Sequence, residues 1–217
     1  MVISIQPKTS SPKGQSYPNW IRTFWQKLCP IPKSQSPAVN NNGSKDINLN
    51  PPNTGSLYFL TFSREPQSTQ VRNITVPAGT ELFLPVMSVI VSVCERAGAT
   101  DNQLVQLSNK DQSSIIPNSL KVVLDGVELN NVNSWKFSAN DIGVFDITFP
   151  SQTANAIFDI ASSGPCHAVA AGIYLITEPL GTGSHTIQWK GELHCSPPSE
   201  CTESDYTENI TYNVTVS

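Results

Sequence analysis

Two of the three histidines in this sequence sit beside cysteines, as Cys166-His167 and His194-Cys195. If the two segments met, they could hold zinc or copper through thiolate and imidazole, the donors that these ions favour. Adjacent residues on a strand point to opposite faces, however, so only one side chain of each pair could aim at a shared ion. His167, His194 and a carboxylate therefore form the enzyme alternative, a metal-dependent or hydrolytic site, and a Cys-His nucleophile is its covalent version. His185 stands where a turn enters a strand and reads as structural. Asp125, in Leu124-Asp125-Gly126-Val127, reads as a turn residue with no catalytic partner nearby in sequence. The chain has no Gly-x-Ser-x-Gly elbow, His-Glu-x-x-His pair, phosphate loop or dinucleotide fingerprint.

Two further chemistries are candidates. Exposed aromatics on a β-domain can stack on sugars, and Trp135, beside the Asn-Asn-Val-Asn-Ser turn region, is the candidate platform for a carbohydrate. Trp189 shares a face with Ile187 and reads as core. Asn and Asp side chains between Ile31 and Thr54 could ligate calcium, without the spacing of an EF-hand. No cofactor is expected on this pattern. Of the five cysteines, Cys195 and Cys201 bracket Ser-Pro-Pro-Ser-Glu, a turn that a disulfide could close. Reduced, buried cysteines are the other reading. Sequons occur at Asn42, Asn73, Asn209 and Asn213 in a chain where Asn, Ser and Thr are frequent.

Composition narrows the setting of this chemistry. Charged residues make up 14% of the 217, below the usual quarter, and the net charge is −4 with no basic cluster. A nucleic-acid surface is thereby excluded. Low charge with abundant Asn, Ser, Thr, Gln and Pro fits secreted or surface β-proteins. Met1–Tyr17 lacks the apolar stretch and cleavage site of a secretory leader, so an extracellular protein would have lost its leader already. No run of 18 apolar residues could span a membrane.

The elements that must position these residues read mostly as strands. Residues 1–17 are an aperiodic arm or tail. Trp20, Phe24 and Leu28, flanked by Ile21 and Trp25, make a short amphipathic helix ending at Pro30. Its aromatic face would plug an open end of the β-domain or dock a partner or membrane surface. Strands are expected at Leu57–Phe62, Val71–Val76 and across the apolar stretch from Leu82. There, strict alternation puts Leu82, Leu84, Val86, Ser88 and Ile90 on one face and Phe83, Pro85, Met87, Val89 and Val91 on the other. Both faces need cover. Thr100 and Gln103 form a capping box for a helix over 101–110. A hairpin turns at Asp125-Gly126, a strand spans Val144–Phe149, and 151–168 is a long loop. The last third reads as a meander of Val169–Thr177, His185–Leu193 and Glu208–Val216.

In sequence order, the blocks W-I-R-T-F-W-Q-K-L-C-P-I-P, T-V-P-A-G-T-E-L-F-L-P-V, V-V-L-D-G-V-E-L, G-S-H-T-I and I-T-Y-N-V-T-V resemble a family of uncharacterised microbial proteins, mostly predicted to be secreted. The resemblance implies an all-β domain in an extracytoplasmic setting and carries over no catalytic residue. The expectation is therefore a single all-β sandwich over 18–217, jelly-roll or immunoglobulin-like, with one or two short peripheral helices. Its expected role is a non-catalytic secreted or cell-surface binding or structural module. The polar arm and apolar strands suggest a homo-oligomer or filament formed by strand or arm exchange.

Overall fold

The computed structural model describes residues 3–39, 49–50, 57–64, 69–194 and 205–217. Its described residues form ten strands in two sheets. The first sheet contains β1 (Tyr58–Phe59), β3 (Leu82–Ser92), β8 (Gly164–Ile176), β6 (Lys136–Phe137) and β7 (Phe145–Phe149), the last two pairing with β8 one after the other. The second is ordered β2 (Gln70–Val76), β10 (Tyr206–Val216), β9 (Gly183–Leu193), β4 (Lys121–Leu124) and β5 (Val127–Glu128). In sequence order the strands change sheets between β1 and β2, β2 and β3, β3 and β4, β5 and β6, and β8 and β9, and β2 runs parallel beside the last strand, β10. The two sheets make the expected all-β sandwich.

Three elements depart from simple alternation. Strand β8 begins at Gly164, so Cys166 and His167 stand on a strand where a loop was expected. The expected meander is split, because β8 pairs in the first sheet whereas β9 and β10 form a hairpin in the second. In β3 a bulge at Pro85–Met87 inserts one residue and reverses the parity beyond it. Met87, Val89 and Val91 therefore share the face of Leu82 and Leu84, while Phe83 and Ile90 share the opposite face.

That bulge decides what covers the two apolar faces. Leu82, Leu84 and Val86 pack against Ile187, Trp189, Ile210, Tyr212 and Val214 of the second sheet. Past the bulge, Met87, Val89 and Val91 meet helix α2 (Asp101–Ser113) through Leu104. The α2 start is set as the sequence reads, with Gln103 N donating to Thr100 Oγ1 and Thr100 N donating to Gln103 Oε1. The opposite face is covered by α1 (Tyr17–Leu28), which buries Trp20, Ile21, Phe24, Trp25 and Leu28. Phe24 lies 5.3 Å from Phe83, centroid to centroid, and Trp25 Nε1 donates to Tyr174 Oη at 3.2 Å. The helix thus lies across a sheet face rather than in an open end, because the aromatic rings of β3 and β8 present the larger apolar surface there. Its aromatic stripe is spent on its own chain. No helix among the described residues is long and apolar enough to cross a membrane.

The N-terminal arm is docked in the same way. Ile5 bridges Thr177, Gln6 N donates to Ile176 O at 2.8 Å, and Glu178 N donates to Ser4 O at 2.8 Å. Gln6 O accepts from Tyr17 Oη at 3.0 Å. Residues 3–6 therefore extend the first sheet of their own chain, so an exchange between copies would have to give up these bonds first.

Candidate functional site

The β8 strand presents Cys166 inward and His167 outward, at 3% and 59% exposure for the residue and the imidazole respectively. Cys166 is disulfide-bonded to Cys94, with Cα atoms 5.8 Å apart. Register explains the pairing. Ser92 lies opposite Ala168, and continuing antiparallel by two residues brings Cys94 opposite Cys166. The proposed bridge between Cys195 and Cys201 lies outside the described residues. Cys29 is the free cysteine among those described; burial pushes its thiol pKa well up, so it is an unreactive core side chain.

Around His167 the surface forms an open recess, walled by Val93, Ala99, Thr100 and Pro165. His167 Nδ1 lies 3.1 Å from Asp101 Oδ1, at the start of α2, and Nε2 lies 3.6 Å from Asp146 Oδ1, on β7 directly opposite. The two carboxylates approach opposite edges of one ring. They flank the imidazole and do not converge on a point where a cation would sit. Both ring nitrogens already face acceptors, so neither is aimed at a nucleophile.

His194 belongs elsewhere. Its Nδ1 contacts Asp205 Oδ2 at 2.8 Å, and its backbone N–H donates to Ser114 O at the far end of α2. His167 and His194 are thus held at opposite ends of a 13-residue helix, about 18 Å long. The pair expected to share a metal or a reaction does not meet. Among the described residues, no three His, Cys, Asp or Glu side chains are arranged to hold a metal ion.

Trp135 closes a 3-10 turn, Val132–Trp135, and is half-buried with its indole N–H donating to Gln6 O at 2.9 Å. It anchors the arm, which removes the polar handle that a sugar platform would offer. Trp135→Phe is expected to lower stability by about 1 kcal/mol, the net value of one hydrogen bond, measured by denaturant unfolding. No change would show that the arm docks without it.

The Asp125-Gly126 turn is as read, with φ +49° and +80° at the two positions. Asp125 also acquires the histidine that its sequence neighbourhood lacked. Its carboxylate accepts from Thr186 N and lies 2.8 Å from His185 Nδ1, while His185 Nε2 faces Gly181 O at 3.0 Å. Burial opposes the charged ring, but the bonds to Asp125 and Gly181 outweigh it and raise the His185 pKa. With a backbone carbonyl on Nε2, this pair ties the β4–β5 turn and the loop before β9 to the start of β9.

A buried polar seam escaped the sequence reading. Arg72 on β2 is 1% exposed, and its guanidinium donates to Thr61 O at 3.1 Å, Phe62 O at 3.3 Å, Pro37 O at 2.9 Å and Tyr212 Oη at 2.6 Å. Glu208 on β10 is 2% exposed and accepts from Ser63 N at 3.2 Å. Tyr206 Oη donates to Ser63 O. Side chains of the second sheet therefore satisfy the backbone of residues 61–63, most of which lies outside the regular ladder. Parity was the available signal: Arg72 alternates in phase with buried Ile74 and Val76, and Glu208 with Ile210 and Tyr212. Beside Glu208 a cavity of about 20 Å³, bordered by Trp25, Phe62, Ser88 and Phe158, has room for a water molecule and not for a ligand.

Burial pushes the Glu208 carboxyl up to about 8, against the pull of the Trp189 indole, the Ser63 amide, Arg72 and Tyr206. In the unfolded chain the same group titrates at its ordinary value of 4.5. Between the two, the unfolded state binds fewer protons, so stability is full below 4.5 and falls as pH rises through about 8. The loss from this group is on the order of a few kcal/mol. Glu208→Gln should flatten that decline, read from unfolding midpoints at pH 5, 7 and 9. An unchanged slope would assign the decline to other groups.

Fold and site together define a class, an all-β two-sheet sandwich with an intra-sheet disulfide and a buried polar seam. Compared with family models, with curated proteins and with solved structures, the chain has no match.

Proposed function

We propose that the protein is a non-catalytic module that works outside the cytoplasm, as a secreted or cell-surface binding or structural unit. The observation that carries this reading is the buried Cys94–Cys166 disulfide, since such bridges form and persist in oxidising compartments. Supporting it, the outer face of the second sheet is polar and bears three of the four sequons: Asn73, Asn209 and Asn213 are exposed there, and Asn213 Nδ2 donates to Asn73 Oδ1 at 2.9 Å. The fourth, Asn42, lies outside the described residues.

Polar chemistry that could have signalled catalysis is engaged in structure instead: His185 with Asp125 and Gly181, His194 with Asp205, and His167 between two carboxylates. Fractionation of the native cells tests the reading. Recovery in the medium or at the cell surface supports it, and recovery in the cytosol overturns it. Metal analysis of the purified chain addresses the catalytic question separately, because stoichiometric zinc, copper or calcium would contradict a non-catalytic module.

A further inference from the structure

The seam around Glu208 joins parts that differ in how they are held. Residues 57–64 contribute only Tyr58 and Phe59 to the ladder, paired with the start of β3. Beyond them, the backbone from Thr61 to Ser63 rests on Arg72, Tyr206, Glu208 and Tyr212 of the second sheet. The cavity lies directly beneath this segment, with Phe62 and Arg64 from the segment, Ser88 from β3 and Glu208 from β10 on its walls. Arg64 stacks on Phe158 at 4.7 Å, closing one side.

We propose that Glu208 is a proton-gated latch: its neutral carboxyl holds residues 60–64 over the inter-sheet cavity, and ionisation releases the segment and admits water.

Two forces act on the ionised carboxylate. Arg72, facing it from β2, would stabilise the charge, as would the Ser63 amide and the Tyr206 hydroxyl on its own strand. Against them stands removal of a carboxylate from water at 2% exposure, with Trp25, Phe62 and Phe158 as near neighbours in the cavity wall. Burial outweighs the attraction and pushes the carboxyl above its ordinary range. A charge that burial disfavours is relieved by the smallest opening that brings water to it. Here that opening is movement of the segment outside the regular sheet, since β10 is paired with β9 along its whole length, Glu208 lying opposite Gly191, and with β2 from Ile210 onward.

Hydrogen–deuterium exchange of the full chain at pH 6.5 and 9.5, corrected for the intrinsic rate, tests the latch. Protection of peptides covering 60–64 should fall at least about tenfold at the higher pH while α2 peptides hold theirs. In Glu208→Gln the difference should vanish. Equal protection at both pH values, loss spread evenly over the chain, or an undiminished effect in the variant would each overturn the proposal. Should the variant fail to fold, a carbon-13 titration of the wild-type glutamate carboxyls decides: a Glu208 midpoint in the ordinary carboxylate range removes the latch.

Discussion

Replacing Cys94 and Cys166 together by alanine is expected to lower the stability of the folded chain by about 4 kcal/mol. The bridge closes a loop of sequence separation 72, and the loop-closure entropy removed from the unfolded chain grows with the logarithm of that length. For a chain of this size that corresponds to a fall in Tm of roughly 8–16 °C. Both cysteines are almost fully buried, at 2% and 3% exposure, so the truncation also leaves small voids that add to the loss. Denaturant unfolding of the double variant beside the oxidised wild type measures it. A change below about 1 kcal/mol would mean that the β3–β8 ladder already restricts the unfolded chain, leaving the bridge little to add.

Gly172→Ala is expected to cost about 3 kcal/mol or more, for a different reason. Gly172 faces Ser88 across the ladder just past the β3 bulge, with φ +146°. A Cβ there would overlap the Met87 carbonyl oxygen and sit 2.8 Å from Ser88 Cα, and backbone atoms cannot rotate away as a side chain can. Gly79→Ala separates the two contributions. Gly79 also has positive φ, +79°, but nothing lies within 4 Å of its absent Cβ, so its cost should be the conformational part alone, about 1 kcal/mol. Similar losses at both positions would mean that the bulge relaxes to admit the methyl group. A much larger loss at Gly172 makes the close approach of β8 to the bulged β3 a fixed feature of the fold.

Much of the fold is legible in local chemistry. Pro30 after the end of α1, the Thr100–Gln103 capping box and the Asp125-Gly126 turn each act within a few residues, and each is found as read. What escapes is long-range. Alternation assigns Met87, Val89 and Val91 to the wrong face because a bulge is an insertion in pairing, visible only once β8 is alongside. Proximity in sequence favours Cys195 with Cys201, whereas Cys94 and Cys166 become opposite only through the β3–β8 register. Chain order suggests a meander, but the turn after β8 carries the chain to the other sheet.

The candidate site divides along the same line. His167 stands out by its neighbour Cys166, yet its partners Asp101 and Asp146 come from a helix and a strand at other points of the sequence. Trp135 reads from its turn as an exposed ring, and the arm residue that binds its indole lies 129 positions earlier. Arg72 and Glu208 carry charges of the kind that usually face water. Their strand parity says otherwise, and the seam they build is where the chain departs furthest from an ordinary apolar core.

The central claim, an extracytoplasmic module closed by its own intra-sheet bridge, is tested most directly by thiol mapping of the protein taken from its native cells. Trapping free thiols at lysis and sequencing non-reduced peptides by mass spectrometry should give Cys94 linked to Cys166, with Cys29 alkylated only after unfolding. Recovery of Cys94 and Cys166 as free, alkylated thiols would contradict both the bridge and the setting it implies.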